Sequence, residues 1–470
     1  LSTTKGVWRF DIETRESVSI RHEPKNEFSI SNDYTNCTFV DRNGGLWIGT
    51  KDGGVNYCGA YQSNFEKQYL ADDESLHNTM ISGFAEDDDG MIWVATEEKG
   101  FLKYNPETHV TTRCRIDGIP SRICSLCYDE GKLWFGTRNG LYRLNTRTGA
   151  LKRYGVLKRE KGVNDPNVYM IHKDPEGKIM VGTTLGIFRY DRKADRFIDL
   201  EQFDGIFTTS VANDANDSTI LWLSTFADGV LRWDMNSTSR PVAFSSSRSN
   251  GIINDKIVSM FVDSRADVWA IGFSNGLARY DTSDNSFEKV EIEGLSSEVF
   301  FKALEDDKGK LWLASDNGLV EFDPLTHEVY VHTEKDGLLD SKFTNSALRS
   351  RNGDMYFGSD NGFIRFNPGI LPVEDKSTRV VISSMRIGDE EAYFDMNTDL
   401  LKDIVLEQEQ NSFGFTFSIL GQAMPSSTRI QCRLNGLDEE WRDILGNKSV
   451  FWYNVPSGQY TLEIRESSKD

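Results

Sequence analysis

Leu46-Trp47-Ile48-Gly49-Thr50 returns in degenerate form from one end of the sequence almost to the other. Aligned on the aromatic, eight copies place Trp47, Trp93, Trp134, Met180, Trp222, Trp269, Trp312 and Tyr356 in register, at steps of 46, 41, 46, 42, 47, 43 and 44 residues. Just before each copy stands a turn such as Asp87-Asp88-Asp89-Gly90 or Asp306-Asp307-Lys308-Gly309. There Asp bonds to its own backbone and Gly supplies a positive φ. After each aromatic comes a second Gly and an apolar strand, as in Gly140-Leu141-Tyr142-Arg143-Leu144 or Gly318-Leu319-Val320-Glu321-Phe322. Each unit reads strand, tight turn, strand, Gly turn, strand, and usually a fourth strand. A period of about 40 to 50 residues with four short strands is the pattern of propeller blades.

From Met80 to Phe366 the units run without interruption, and the last stops after its third strand at Asn367-Pro368-Gly369. The N-terminal segment Phe65 to Leu70 is expected to supply the missing fourth strand, closing the ring and removing its open edge. The expected organisation is a seven-bladed propeller over 61–370, preceded by the last blades of another, truncated propeller over 1–60. The rival arrangement is a single eight-bladed ring closed by residues 17–21. Beyond Leu371-Pro372 the repeat ends. Val380-Val381-Ile382, Phe413 to Phe417, Ile430 to Leu434 and Tyr460 to Ile464 read as strands of a small β-sandwich over 375–470. The fold class is therefore all-β.

The apolar fraction of 38%, with 39 Gly and only 11 Pro, suits a turn-rich globular chain. No run of 18 apolar residues occurs, and Leu1-Ser2-Thr3-Thr4 lacks the features of a signal peptide. A net charge of −20 argues against a general nucleic-acid or anionic-membrane surface. Six cysteines are too few for a disulfide scaffold of this size. Cys124-x-x-Cys127 falls on an apolar strand whose alternation sends residues three apart to opposite faces, so the two read as small packing residues. The repeat tryptophans read as core, since a residue at the same place in every unit serves the unit.

Glu86-Asp87-Asp88-Asp89-Gly90-Met91-Ile92-Trp93-Val94-Ala95-Thr96, with its later Gly-apolar-x-x-Tyr, resembles the two-component regulator propeller repeat. Leu434-Asn435-Gly436-Leu437-Asp438-Glu439-Glu440-Trp441, continued by Tyr453-Asn454-Val455-Pro456-Ser457-Gly458-Gln459-Tyr460, resembles the three-tyrosine (Y_Y_Y) domain, with Cys432 where that family usually has its first tyrosine. Together these motifs resemble the periplasmic sensor half of hybrid two-component systems of polysaccharide-degrading gut bacteria. The resemblance implies an inner-membrane receptor with two propellers, the sandwich, a membrane helix in a segment outside this sequence, and a cytoplasmic histidine kinase. It also implies an oligosaccharide ligand, a homodimer formed through the C-terminal sandwich, and a role in transcription regulation.

No catalytic residue, metal site or cofactor is expected. The six histidines (His22, His77, His109, His172, His327 and His332) lack metal-ligand spacing, and no Gly-x-Ser-x-Gly, Walker loop or dinucleotide fingerprint is present. The Asp-rich turns recur once per unit, which fits hairpin chemistry better than calcium. A hydrolase or polysaccharide lyase with side chains entering the channel from several blades is the alternative. Variable loops should gather on one face of the ring, at the connection before each innermost strand and the turn after the Trp strand. The polar and aromatic residues placed there are His77, Asn78, Arg122, Arg138, Asn167, Tyr169, Phe207, Phe226, Asn254, Phe273, Phe300, Phe343 and Asn345. Aromatic faces beside Arg and Asn would make a carbohydrate site.

Overall fold

The structure is a computed structural model. It describes residues 1–12, 15, 17–22, 29–41, 45–58, 65–68, 79–116, 118–120, 122–155, 166–247, 254–272, 276–292, 295, 297–369, 379–388, 390–392, 403–420, 428–444 and 449–468. Among these, seven four-stranded antiparallel sheets follow one another from Ile81 to Phe366. Their first strands, Ile81–Glu86, Ile123–Asp129, Val168–Lys173, Thr208–Asn213, Ile257–Val262, Phe300–Glu305 and Phe343–Arg349, each pack against the next, and the seventh packs against the first. This closed cycle is a seven-bladed propeller, and the eight-bladed ring is excluded.

The blade of Tyr356 takes its fourth strand from the far end of the chain. Glu66–Gln68 pairs antiparallel with Gly362–Phe366, in the register Phe363 with Gln68, Ile364 with Lys67 and Arg365 with Glu66. Gly362 holds φ +132°, and a Cβ there would sit 2.5 Å from the Gln68 carbonyl oxygen. Only glycine lets the borrowed strand approach so closely.

The repeat sequence explains the blade. All five residues of Ile92–Thr96, Leu311–Ser315 and Met355–Ser359 are buried, as strands covered on both faces require. In the Trp93, Trp269 and Trp312 blades the Asp that opens the hairpin does two things. Asp87 Oδ1 accepts from the Asp89 and Met91 N–H groups (3.1 and 3.0 Å), while Asp87 Oδ2 accepts from Trp93 Nε1 at 3.0 Å. Asp263 with Trp269 and Asp306 with Trp312 repeat the arrangement, at 3.0 and 3.2 Å between indole and carboxylate. The buried indole N–H thereby finds the acceptor it needs, and the turn is locked to the blade core. At the other end of the strand a hydroxyl closes the Gly turn: Thr96 Oγ1 donates to the Gly100 carbonyl at 2.8 Å, and Thr225 and Ser315 do the same to Gly229 and Gly318 at 2.9 and 2.6 Å.

On the third strand the residue opposite the aromatic is usually a cation lying over its ring. Lys103 stands over Trp93 at 5.1 Å, Arg143 over Trp134 at 5.2 Å and Arg232 over Trp222 at 5.8 Å. Trp312 has Glu321 there instead. Its ring stacks on His332, with centroids 5.3 Å apart, and Glu321 is held by Lys310 Nζ at 2.5 Å and His332 Nε2 at 3.2 Å.

Before the ring, Ser2–Thr3, Gly6–Phe10 and Ser17–Ile20 form one three-stranded sheet, and Thr35–Val40, Leu46–Thr50 and Val55–Cys58 another. They keep the blade devices: Trp47 Nε1 donates to Asp41 Oδ2 at 2.8 Å, and Thr50 Oγ1 to Gly54 O at 2.9 Å. Trp47 is 41% exposed, whereas Trp93 is 5% and Trp312 1% exposed.

The C-terminal unit is a sandwich of two sheets. Glu390–Ala392, Arg379–Ile387, Phe413–Leu420 and Ser449–Trp452 form one, and Arg442–Asp443, Thr428–Asn435 and Thr461–Ser468 the other. Phe413, Phe415, Phe417, Leu434, Trp452 and the fully buried Cys432 make its core. In the Leu-x-Gly-x-Asp turn, Asp438 Oδ2 accepts from the Leu434 N–H and from Trp452 Nε1, both at 2.7 Å. No helix among the described residues is long and apolar enough to cross a membrane.

Candidate functional site

In three blades the turn after the Trp-type strand bonds to the connection preceding the innermost strand of the same blade, so both emerge on one face of the ring. Glu97 N–H donates to Met80 O at 3.0 Å, Thr184 N–H to Asn167 O at 3.2 Å and Phe226 N–H to Phe207 O at 3.0 Å. On this face the Met180 and Trp222 blades build an aromatic ladder. Tyr169 and Phe207 have ring centroids 5.0 Å apart at 38°, and Phe207 and Phe226 lie 5.3 Å apart at 25°. Asn167 Nδ2 donates to the Tyr169 hydroxyl at 3.2 Å, and Lys256 Nζ stands 5.5 Å from the Phe226 centroid.

Phe226 is presented outward by its turn. Thr225 Oγ1 accepts from the Asp228 N–H at 2.8 Å and donates to Gly229 O, fixing a loop that leaves the ring 49% exposed. A cavity of about 390 Å³ adjoins it, lined by Phe226, Ala227, Ser246, Asn254, Asp255 and Lys256. Asn254 Oδ1 accepts from the Lys256 N–H at 2.8 Å, and Asp255 accepts from both the N–H and the hydroxyl of Ser246 at 2.6 and 2.8 Å. An exposed π-face, one amide, a carboxylate and an ammonium around one concavity suit a polyhydroxylated ligand with apolar C–H faces.

Of the residues expected on this face, the structure brings together Asn167, Tyr169, Phe207, Phe226 and Asn254. Arg122 and Arg138 are organised around Glu97: Arg138 Nη2 pairs with Glu97 Oε1 at 3.2 Å, and the Arg122 N–H donates to the Glu97 carbonyl, with Arg122 at φ +66°. Asn345 is exposed to the axial channel. Phe300 and Phe343 do not belong to the site. They are 1% and 5% exposed, being the first residues of innermost strands, where Ile81, Ile123 and Ile257 are equally buried in other blades. Their expected place as loop aromatics is corrected to blade core. His77, Asn78 and Phe273 lie outside the described residues. Lys256 was not anticipated, although its position two residues after Asn254 in a pre-strand connection was the available signal.

Cavities at the opposite end of the blades are larger, about 500 and 590 Å³. They are lined by the hairpin machinery itself, including Asp214, Trp222 and Arg232 in one and Arg189 and Tyr190 in the other. Beside the first, Asp281, Asp284 and Glu288 bring carboxylate oxygens within 4.8 Å, and Asp281 Oδ1 already accepts from the N–H and hydroxyl of Ser283.

Residues 29–52 and 75–98 match the two component regulator propeller family. Over 84% of its length it is 24% identical to histidine kinase P4 of Formosa agariphila, and it spans 30% of that curated relative. Its fold is similar to the extracellular domain of a hybrid two-component system of B. thetaiotaomicron, with TM-score 0.78 and 23% identity, covering 99% of this chain and 68% of that one. The extracellular domain of a one-component system of the same organism gives 0.55 at 19% identity, covering 99% and 65%. Virginiamycin B lyase of Staphylococcus aureus gives 0.51 at 14% identity, covering 64% of this chain and 98% of that one. At these identities the structural likeness is one of fold.

Proposed function

We propose that this chain is the periplasmic, ligand-sensing portion of a hybrid two-component receptor, and that its propeller binds a polysaccharide-derived oligosaccharide at the Tyr169–Phe207–Phe226 ladder. The ladder is the observation that carries the reading. Aromatic side chains give large contact area at small cost in conformational entropy, and half of Phe226 is open to a ligand. Asn167 and Asn254 offer amides for sugar hydroxyls, and Lys256 adds a cation beside the same ring. No chemical step is assigned to this site. A binding protein without catalysis reports its ligand only if the ligand prefers one arrangement of the receptor. The C-terminal sandwich is the output element in this reading, with two copies meeting across a two-fold axis to bring two cytoplasmic histidine kinases together.

Oligosaccharides from plant, algal and host polysaccharides should be titrated calorimetrically against the protein, and the recovered sugars analysed by mass. A sensor returns the bound oligosaccharide intact. Cleaved or unsaturated products would replace the reading with the competing one, a propeller hydrolase or lyase. A receptor lacking residues 375–470, with the remaining chain rejoined to its membrane segment, should lose ligand-dependent kinase output; normal signalling would remove the output role.

A further inference from the structure

The axial channel of the ring encloses about 230 Å³ and is lined by the innermost strands of all seven blades. These strands share a register. In six of them a bulge displaces the second residue, and the third pairs across to the Trp strand: Gly83 with Ala95, Ser125 with Gly136, Met170 with Gly182, Ser210 with Ser224, Ser259 with Ile271 and Lys302 with Ala314. Small or apolar residues satisfy this place in five blades, so nothing in the repeat demands a lysine in the sixth. Two residues further along, His172 pairs with Met180 where the other blades put Ala85, Cys127, Ala212, Phe261 or Leu304 opposite their tryptophans. Met180 is the smallest of the eight repeat aromatics and their replacements, and the histidine stands opposite it.

Lys302 is enclosed by protein yet keeps accessible surface, because that surface faces the lumen. Among the described residues it has no hydrogen-bond or ion-pair partner, and no carboxylate lines the channel. An enclosed ammonium without a counter-charge is costly, and burial here pushes the Lys302 pKa down. His172 also faces the lumen, close enough to feel the Lys302 charge. Its Nε2 bonds to Asn213 Oδ1 at 2.9 Å, and Asp174 is the acidic group near it. Around the two bases, the Ser125, Ser259 and Ser346 hydroxyls make only long bonds of 3.3, 3.5 and 3.4 Å to backbone carbonyls, and hydroxyls rotate to suit a better acceptor. An enclosed ammonium, a histidine whose pKa burial lowers, several hydroxyls and no lining carboxylate, in a chain of net charge −20, form a local inversion of sign.

We infer that the axial channel is a binding site for a small oxyanion of the sulfate or carboxylate class, held between Lys302 and His172. The volume lies below the roughly 300 to 1,000 Å³ of sites for drug-sized ligands, so it takes one anionic group or one acidic monosaccharide rather than an oligomer. The site goes beyond oligosaccharide binding at the aromatic ladder and does not depend on it.

The test uses the full chain at constant ionic strength, with inorganic sulfate, D-glucuronate and neutral D-glucose as probes. Sulfate or glucuronate should saturably raise the melting temperature and shift the His172 ring resonances, and glucose should do neither. Lys302→Met should weaken the anion effect at least tenfold while leaving any ladder ligand bound. Which anion acts distinguishes an inorganic ion from a sugar acid. An anion response of equal strength in Lys302→Met would overturn the assignment. So would unmoved His172 resonances in the unaltered protein, a readout that does not require the variant to fold.

Discussion

Arg365 Nη1 donates to Glu66 Oε2 at 3.0 Å across 299 residues of sequence. The same guanidinium donates to the Tyr104 hydroxyl and the Pro106 carbonyl, each at 3.1 Å, and grips Asp354 through Nε at 2.8 Å and Nη2 at 2.6 Å. Tyr104 in turn donates to Glu66 Oε1 at 2.7 Å. One arginine thus ties the borrowed strand to the last blade and to the first. Arg365→Ala should destabilise by about 3 kcal/mol, because it leaves the buried Asp354 without its charge partner and Glu66 with His109 alone. Urea unfolding measures this, and a variant with the parental midpoint would show that closure does not need the clamp.

Trp312→Ala should cost about 3 to 5 kcal/mol, as truncation of a packed aromatic does. The ring is 1% exposed, stacks on His332 and donates to Asp306. Ligand affinity at the ladder should be unchanged. A thermal midpoint equal to the parent's would contradict a core role for the repeat tryptophans.

Acid should loosen the Trp312 blade. Burial acts to raise the Glu321 pKa, but hydrogen bonds from His332 and Lys310 outweigh it and hold the carboxyl at about 2, against 4.5 for the free group. The folded value is depressed, so the stabilisation is complete above the unfolded value and disappears as the pH falls from about 4.5 to about 2. Its size is on the order of 3 kcal/mol. Glu321→Gln should flatten the acid limb of the stability profile, and an unchanged limb would count against the ion-pair network.

Phe226→Ala should weaken oligosaccharide binding about tenfold, within the 1 to 3 kcal/mol expected of an exposed stacking aromatic, with little change in melting temperature. Phe207→Ala should weaken it further, because Phe207 holds both neighbours of the ladder. Binding indifferent to both substitutions would move the site elsewhere on the ring.

Much of this fold was readable without coordinates, because blade length, turn residues and the aromatic period all repeat. Even the borrowed strand followed from a last unit that stops one strand short. The repeat also explains what was misread. Phe300 and Phe343 look like loop aromatics in sequence, but each opens an innermost strand at a place the other blades fill with Ile, Val or Thr. Lys302 escaped notice, and His172 was set aside with the other histidines, for a related reason. The units were aligned on the Trp strand, and the bulge in the innermost strand shifts its register, so departures there do not stand out until the cross-strand pairs are known. The ladder was legible only as separate residues, since the contact of Tyr169 with Phe207 and Phe226 joins two blades.

The borrowed strand also sets a schedule for synthesis. Glu66–Gln68 leaves the ribosome with the earliest part of the ring, while its partners Phe363 to Arg365 come about 300 residues later. At about 5 to 20 residues per second this is a wait of roughly 15 to 60 seconds. For that interval the growing ring has two uncovered ends and a strand with nothing to join, and the newest blade lacks the neighbour that will cover its far face. The protein is therefore exposed to mispairing during manufacture, and chaperone demand should depend more on the speed of translation through the ring than on the stability of the finished ring.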